Sequence, residues 1–279
     1  RGEGLRESLR EAPAAFSRRK KGIFRFMLTM LLVSLLVVFL SIQLSSISTT
    51  IYQHRTMAHK GLKLHPAVAA LMKLQIWIFS GLSTREWVAV HRKHHHFTDQ
   101  EGDPHSPLLK GLWNVLLLNA YYYSQESKNP EVLEKYTRDI PPSREEALFA
   151  YGPIGVSIGA AMFMTFFWLL FGGWAGPLAG LIVFIVQGVG YVSMNAVING
   201  ACHAVGYRNF NNTATNIRLV AWLSGGEGLH NNHHQYPSAS KFSMRRGEFD
   251  PAWPVIRLLA ALSLAEPLPL PESALSESR

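Results

Sequence analysis

Three long apolar runs constrain the fold of this chain more than any other feature of its sequence. They cover residues 26–44, 154–171 and 178–198. Each approaches the roughly 20 apolar residues that an α-helix needs to cross the hydrocarbon core of a bilayer. Because 48% of the 279 residues are hydrophobic, an ordinary soluble domain is disfavoured. The sequence predicts an all-α, integral membrane protein that crosses the bilayer several times.

The distribution of Lys and Arg predicts the orientation of these spans. The turn at 172–177 carries no charge, whereas residues 49–149 hold twelve Lys or Arg and the region after residue 201 holds seven. Cytoplasmic loops are enriched in Lys and Arg, so we expect the turn outside and both long segments in the cytoplasm. One crossing by the first run would leave the basic residues 18–21 outside, against the same tendency. We therefore expect three or four transmembrane helices.

Composition also limits the partners and the domain organisation. The net charge of +8 comes from basic residues that flank apolar runs, which favours anionic membrane lipids as partners and argues against nucleic acid. The single cysteine excludes a disulfide framework and an iron–sulfur cluster. We predict a basic N-terminal segment at 1–22, a membrane domain with a cytosolic helical cap at 23–264, and a disordered tail rich in Pro, Ser and Glu at 265–279.

Histidines mark the candidate site, because most of the twelve fall into three dense groups. The second and third apolar runs lie between the second histidine group and the third, so the chain crosses the membrane twice there. All groups therefore emerge on one side of the membrane. Single histidines are usually exposed or satisfied polar residues, but a repeated pattern of this kind is typical of a metal centre. The histidines concerned are His54 and His59, then His91, His94, His95 and His96, and finally His203, His230, His233 and His234.

The spacing within these groups predicts a centre for two metal ions. Residues four apart share a helix face, so His91 can converge with His95, and His230 with His234. His94 and His233 point aside, where a second metal could bind. Imidazoles suit iron, zinc and copper, so the spacing does not choose among these metals.

Three histidines are weaker candidates. We expect His65 and His105 to be bystanders in turns, although the Asp-Pro-His turn of His105 follows closely on the second group. His96, the third consecutive histidine, points away from a centre built on His91 and His95. Carboxylates that orient ligand histidines could be among Glu86, Asp103 and Glu227.

At these residues the chain resembles the membrane fatty acid desaturases, specifically the acyl-CoA or acyl-lipid delta-9 type, and is most similar to bacterial members. The resemblance covers residues 51–264. It is carried by His54-x4-His59, by Glu86-Trp87 with His91-x2-His94-His95, by Asp103-Pro104-His105, by Asn199-x3-His203, and by Gly226-Glu227-Gly228-x-His230-x2-His233-His234.

The resemblance implies an O2-dependent desaturase with two iron ions (Fe2+) on the cytoplasmic side of a bacterial inner membrane. Its substrate would be a long-chain acyl-CoA or acyl-lipid, and Trp87 would line the acyl tunnel. Asn199 would hold a metal through water. Electrons would come from a separate ferredoxin or cytochrome b5 with an NAD(P)H reductase. The implied iron ligands are His54, His59, His91, His94, His95, His203, His230, His233 and His234.

Two other functions remain open at the level of the sequence. A related di-iron membrane hydroxylase uses similar histidine boxes to insert oxygen, and product analysis separates the two reactions. A metal-ion transporter is disfavoured because the predicted spans hold almost no polar residues along a path.

Overall fold

The structure is a computed structural model that describes the backbone of residues 2–268 and the side chains of residues 19–268. Over this range the regular secondary structure is helical apart from one short pair of strands, which confirms the all-α prediction. The helices are α1 (Gly2–Ser48), a π-helix here called π1 (Thr49–Ala58), α2 (Pro66–Ser80), α3 (Thr84–Phe97), α4 (Pro107–Lys110), α5 (Leu112–Ser127), α6 (Pro130–Tyr136), α7 (Arg144–Ala150), α8 (Gly152–Phe171), α9 (Ala175–Ala201), α10 (Arg218–Leu223), α11 (His230–Gln235) and α12 (Ala252–Ala261); the strands are β1 (Leu62–Leu64) and β2 (Ala265–Pro267).

Three helical segments are long and apolar enough to cross a membrane, as predicted. They are Arg19–Ala58, Gly152–Phe171 and Ala175–Ala201. The pair α2 and α3 passes the same test only together and bends by 89°, so the count rises to four if that pair is one broken span. Helix α1 continues to Ser48, beyond the end of its apolar run, and π1, which contains the first histidine, follows without a break.

Close helix packing holds the membrane part together. Helices α8 and α9 form a hairpin around a core of Phe163, Phe167, Val183 and Phe184. Gly159 lies where any side chain would meet the backbone of α2 and the Phe184 ring. Small residues at such crossings let helix backbones approach closely in a bilayer, where packing drives association.

The short sheet corrects one predicted boundary. We predicted a disordered tail from residue 265, but residues 265–267 form β2, antiparallel to β1 with Leu62 opposite Pro267. The next residue continues the contact, since Leu268 N donates to Gly61 O at 3.0 Å. Strand β1 follows π1 directly and would otherwise present an unpaired edge. The rest of the predicted tail, 269–279, lies outside the described residues.

Candidate metal centre

The first two histidines owe their convergence to the π-helix. In an α-helix five residues rotate a side chain by roughly 140° beyond a full turn, so His54 and His59 would diverge. A π-helix bonds each N–H to the carbonyl five residues earlier. His59 N donates to His54 O at 3.1 Å in this pattern, and the two rings lie with centroids 4.9 Å apart. The five-residue spacing was the only sequence signal for this element.

Nine histidines meet in two adjoining groups, each with its candidate ligand atoms all within 4.8 Å of one another. Helix α3 sends His91 and His95 to one group and His94 to the other. Helix α11 does the reverse, sending His230 and His234 to one group and His233 to the other. The first histidine group is His54, His59, His91, His95 and His233, and the second is His94, His203, His230 and His234.

Pairs of Nε2 atoms face each other inside these groups. The separations are 3.0 Å for His54 and His233, 2.8 Å for His59 and His91, and 3.1 Å for His230 and His234. A neutral imidazole whose Nδ1 carries the proton presents only a lone pair at Nε2. Facing lone pairs repel unless a cation lies between them, so this donor set fits metal ions. Clustered imidazoles suit iron, zinc or copper.

Three carboxylates determine which nitrogen of a histidine ring faces the interior of its group. Glu227 Oε1 lies 2.6 Å from His54 Nδ1, and both Asp103 oxygens lie 3.0 Å from His94 Nδ1. Asp99 Oδ2 lies 2.8 Å from His203 Nδ1. A carboxylate on Nδ1 holds the proton there and leaves Nε2 free for a metal.

The carboxylates and rings are in the charge states that such a site needs. Burial would raise the pKa of Asp99 and of Asp103, but hydrogen bonds from the histidines outweigh it and hold each pKa below its usual value. Burial lowers the pKa of His230 and of His234 well below the ordinary histidine value, which keeps both rings neutral. Neutral imidazoles are the form that binds metal.

Glu86 behaves differently from the other two suggested carboxylates. Within the described part of the chain it forms no hydrogen bond to a histidine, and it lines a separate cavity of about 130 Å³ beside Arg85 and Glu146. Asp99, which the sequence motifs did not indicate, is the third carboxylate that contacts a histidine Nδ1. Its backbone φ of 57° places it in the left-handed region, which turns its side chain back toward His203.

The remaining histidines lie outside the two groups. His65 is exposed and caps α2 by accepting from Ala67 N at 3.2 Å. His96 is exposed and contacts Phe97 and Tyr136. His105 is buried and stacks on His94 at 4.6 Å, so it is not the turn bystander that we expected. Burial lowers the pKa of His105 to about 3.

A cavity adjoins the first histidine group. The Trp87 ring stacks on His91 at 4.7 Å with an interplanar angle of 13°. Trp87 also lines a cavity of about 130 Å³ together with Leu82 and Val192. Asn199 lines the same cavity and donates from Nδ2 to Asn119 Oδ1 at 3.0 Å. It also lines a smaller space of about 40 Å³ that reaches His91 and His105.

The model of the family described as fatty acid desaturase matches residues 28–263. The chain belongs to the fatty acid desaturase family. It is an oxidoreductase of this class, held in the membrane by its spanning helices. The family match confirms the resemblance that the histidine motifs carry.

Three plant relatives are all named as desaturases, and their names differ in the double-bond position and the acyl carrier. The chain is 31% identical over 245 residues to the delta-9 desaturase-like 1 protein of Arabidopsis thaliana, covering 82% of this chain and 75% of the relative. It is 28% identical over 252 residues to the delta-9 acyl-lipid desaturase 2 of that plant, covering 86% and 76%. It is 29% identical over 242 residues to the acyl-CoA C20 Delta5-desaturase of Anemone leveillei, covering 80% and 69%.

Proposed function

We propose that this desaturase uses O2 and two iron ions to place a cis double bond, at the delta-9 position, in a saturated long-chain acyl-CoA or acyl-lipid. The observation that carries the proposal is the pair of adjoining histidine groups beside a cavity lined by Trp87, whose ring stacks on His91. The nine histidines would hold one iron in each group. Delta-9 relatives support the position, whereas the Delta5 relative shows that the family varies in it.

The side chains alone have no means of attacking a methylene, which offers no acidic proton to a base. Iron with O2, when bound, would supply the oxidant that removes its hydrogens. The imidazoles hold the ions, and Glu227, Asp103 and Asp99 orient three of the rings through Nδ1. Asn199, at the cavity wall, would orient a water toward the metal.

The cavity beside Trp87 would position the acyl chain. Leu82 and Val192 give it apolar walls, and stacking on His91 sets the Trp87 face against the first histidine group. Holding one pair of methylenes at the reacting distance removes most of the entropic barrier and selects which pair reacts. The regiochemistry would therefore depend on the depth of this cavity.

The electron balance of the reaction requires an electron donor. Removing two hydrogens from the substrate while O2 becomes two waters consumes two more electrons and two protons. With one cysteine the chain cannot hold an iron–sulfur cluster of its own. A separate ferredoxin or cytochrome b5 with an NAD(P)H reductase would supply these electrons. The basic segments around the histidines support a cytoplasmic site in contact with anionic lipids.

The test is expression in a host with a suitable reductase, followed by gas chromatography of total fatty acids with double-bond location. We expect a new monounsaturated acid that disappears in His94→Ala. Hydroxylated acids in its place would assign the chain to the oxygen-inserting reaction. An unchanged profile from an iron-loaded protein supplied with both acyl carriers and both donors would contradict the proposal.

A further inference from the structure

We propose that Glu248, acting through Asn232, is a positioning residue that sets the place of α11 and with it the geometry of both histidine groups. Neither residue faces a candidate metal position. The inference rests on the proposed di-iron function, because it assigns these residues to building that centre. It begins from the observation that one short helix supplies ligands to both groups.

Helix α11 has six residues and no side-chain hydrogen bond at its N-cap. Helices this short are not stable alone, so contacts from elsewhere must hold it. It supplies His233 to the first group and His230 and His234 to the second. A small rotation or shift of α11 would therefore change both groups at once.

Asn232 anchors α11 to the neighbouring loops. It is fully buried, and all four of its hydrogen-bonding positions are used. Its Oδ1 accepts from Asn209 Nδ2 at 2.8 Å and from Asn216 Nδ2 at 2.9 Å. Its Nδ2 donates to Phe242 O at 2.9 Å and to Glu248 Oε2 at 2.8 Å. This side chain therefore ties α11 to two separate loops, 202–217 and 236–251.

Glu248 collects donors from the same loops. Besides Asn232, its Oε2 accepts from Met244 N at 2.7 Å and from Arg245 N at 2.9 Å. Its Oε1 accepts from Tyr207 Oη at 2.8 Å and from Asn209 Nδ2 at 2.7 Å. Hydrogen bonds to a carboxylate are stronger and shorter than those between neutral groups. One carboxylate thus fixes the segment 244–248 against α11.

The Tyr207 bond offers a matched control, because it ends on the same carboxylate and does not touch α11. Asn232→Ala removes the link to α11. Glu248→Gln removes the charge and leaves one acceptor oxygen, so its NH2 group must face either the donor Asn209 Nδ2 or the donors from Asn232 and the backbone. Tyr207→Phe removes one donor to Glu248 and leaves the link intact. The three variants therefore separate the positioning of α11 from a general loss of hydrogen bonds.

The experiment compares the full-length variants in detergent after loading with ferrous iron. Three quantities are measured on the monodisperse fraction: iron bound per chain, the ferrous ligand-field spectrum by magnetic circular dichroism, and turnover per bound iron. For Asn232→Ala and Glu248→Gln we expect iron affinity and turnover to fall by about tenfold or more, with an altered spectrum, as for other residues that support metal ligands. We expect the iron affinity and turnover of Tyr207→Phe to stay within about twofold of those of the unchanged protein, since the hydrogen bond that it loses lies on the surface side of the network.

Two results would overturn the inference. One is an Asn232→Ala protein that matches the unchanged protein in all three quantities. The other is a lower yield of folded protein whose monodisperse fraction keeps the normal spectrum and turnover per iron, which indicates a purely structural role. An unchanged protein that binds iron without forming an unsaturated product would refute the proposed function alone, because the spectral comparison does not depend on product.

Discussion

The role of Asp99 leads to the most specific prediction for a single substitution. In Asp99→Asn the amide oxygen can still accept from His203 Nδ1, and the NH2 group can still bond to Ser106 Oγ, which now lies 2.6 Å from Asp99 Oδ1. Asn also tolerates the positive φ of 57° at this position. The substitution therefore removes the charge and keeps the shape.

The magnitude follows from the lost charge. The side chains of His203 and Asp99 are 0% and 1% exposed, so water does not screen the pair. A hydrogen bond to a charged group contributes about 1.5–3 kcal/mol and a neutral one about 0.5–1.5 kcal/mol, a difference of roughly 1–1.5 kcal/mol. Since 1.4 kcal/mol is a factor of ten in an equilibrium constant, we expect iron to bind the second histidine group about five- to tenfold more weakly.

The assay is iron binding in competition with a chelator of known affinity, on purified protein in detergent. Asp99→Asn should weaken one of two binding steps, because His203 belongs to the second group alone. Glu86→Gln is the matched control, since that carboxylate lines a separate cavity. Unchanged binding by Asp99→Asn, or equal weakening by Glu86→Gln, would refute the assignment of Asp99.

Three other substitutions, two of them with a matched control, test the ligands, the helix packing and the buried ion pair. His94→Ala should abolish turnover with the protein still inserted in membranes, whereas His65→Ala should lose only an exposed helix cap, about 1 kcal/mol of unfolding free energy, and keep its activity. Gly159→Leu should sharply reduce the monodisperse yield from detergent, because its side chain would meet α2. Gly188→Leu should not, because a Cβ at Gly188 meets nothing within 4 Å. Asp250→Ala should lower the free energy of unfolding by roughly 3–5 kcal/mol in thermal or denaturant unfolding, since it leaves a fully buried arginine unpaired.

A specific result would contradict each of these three predictions. Turnover lost equally in His65→Ala and His94→Ala would mean that ligands and bystanders have been divided wrongly. Equal yields of the two glycine variants would contradict the close approach of α2 and α8. An Asp250→Ala protein that unfolds like the unchanged one would show that water reaches the arginine after substitution.

The spans and the placement of most histidine rings follow from local rules. Hydropathy alone predicts a membrane helix, because the bilayer core admits few polar groups. Helical periodicity alone predicts that His91 and His95 share one side while His94 turns to another. The same rule excludes Glu86, since five residues on α3 rotate it by roughly 140° from His91. The suggestion of Glu86 as an orienting carboxylate ignored that rotation.

The remaining features depend on contacts that the sequence does not encode locally. The sequence did not predict the π-helix, which has no composition signal; only the spacing of His54 and His59 could have indicated it. Asp99 reaches His203 across 104 residues of chain through a left-handed backbone turn, and neither could be predicted from one sequence. Strand β2 forms because β1, about 200 residues earlier, presents an unpaired edge.

The central claim is that the two histidine groups each hold a metal ion, and anomalous diffraction at the iron absorption edge from crystals of the iron-loaded protein tests it most directly. We predict two anomalous peaks, one among His54, His59, His91, His95 and His233, and one among His94, His203, His230 and His234. A single peak, or peaks at other residues, would contradict the two-metal account.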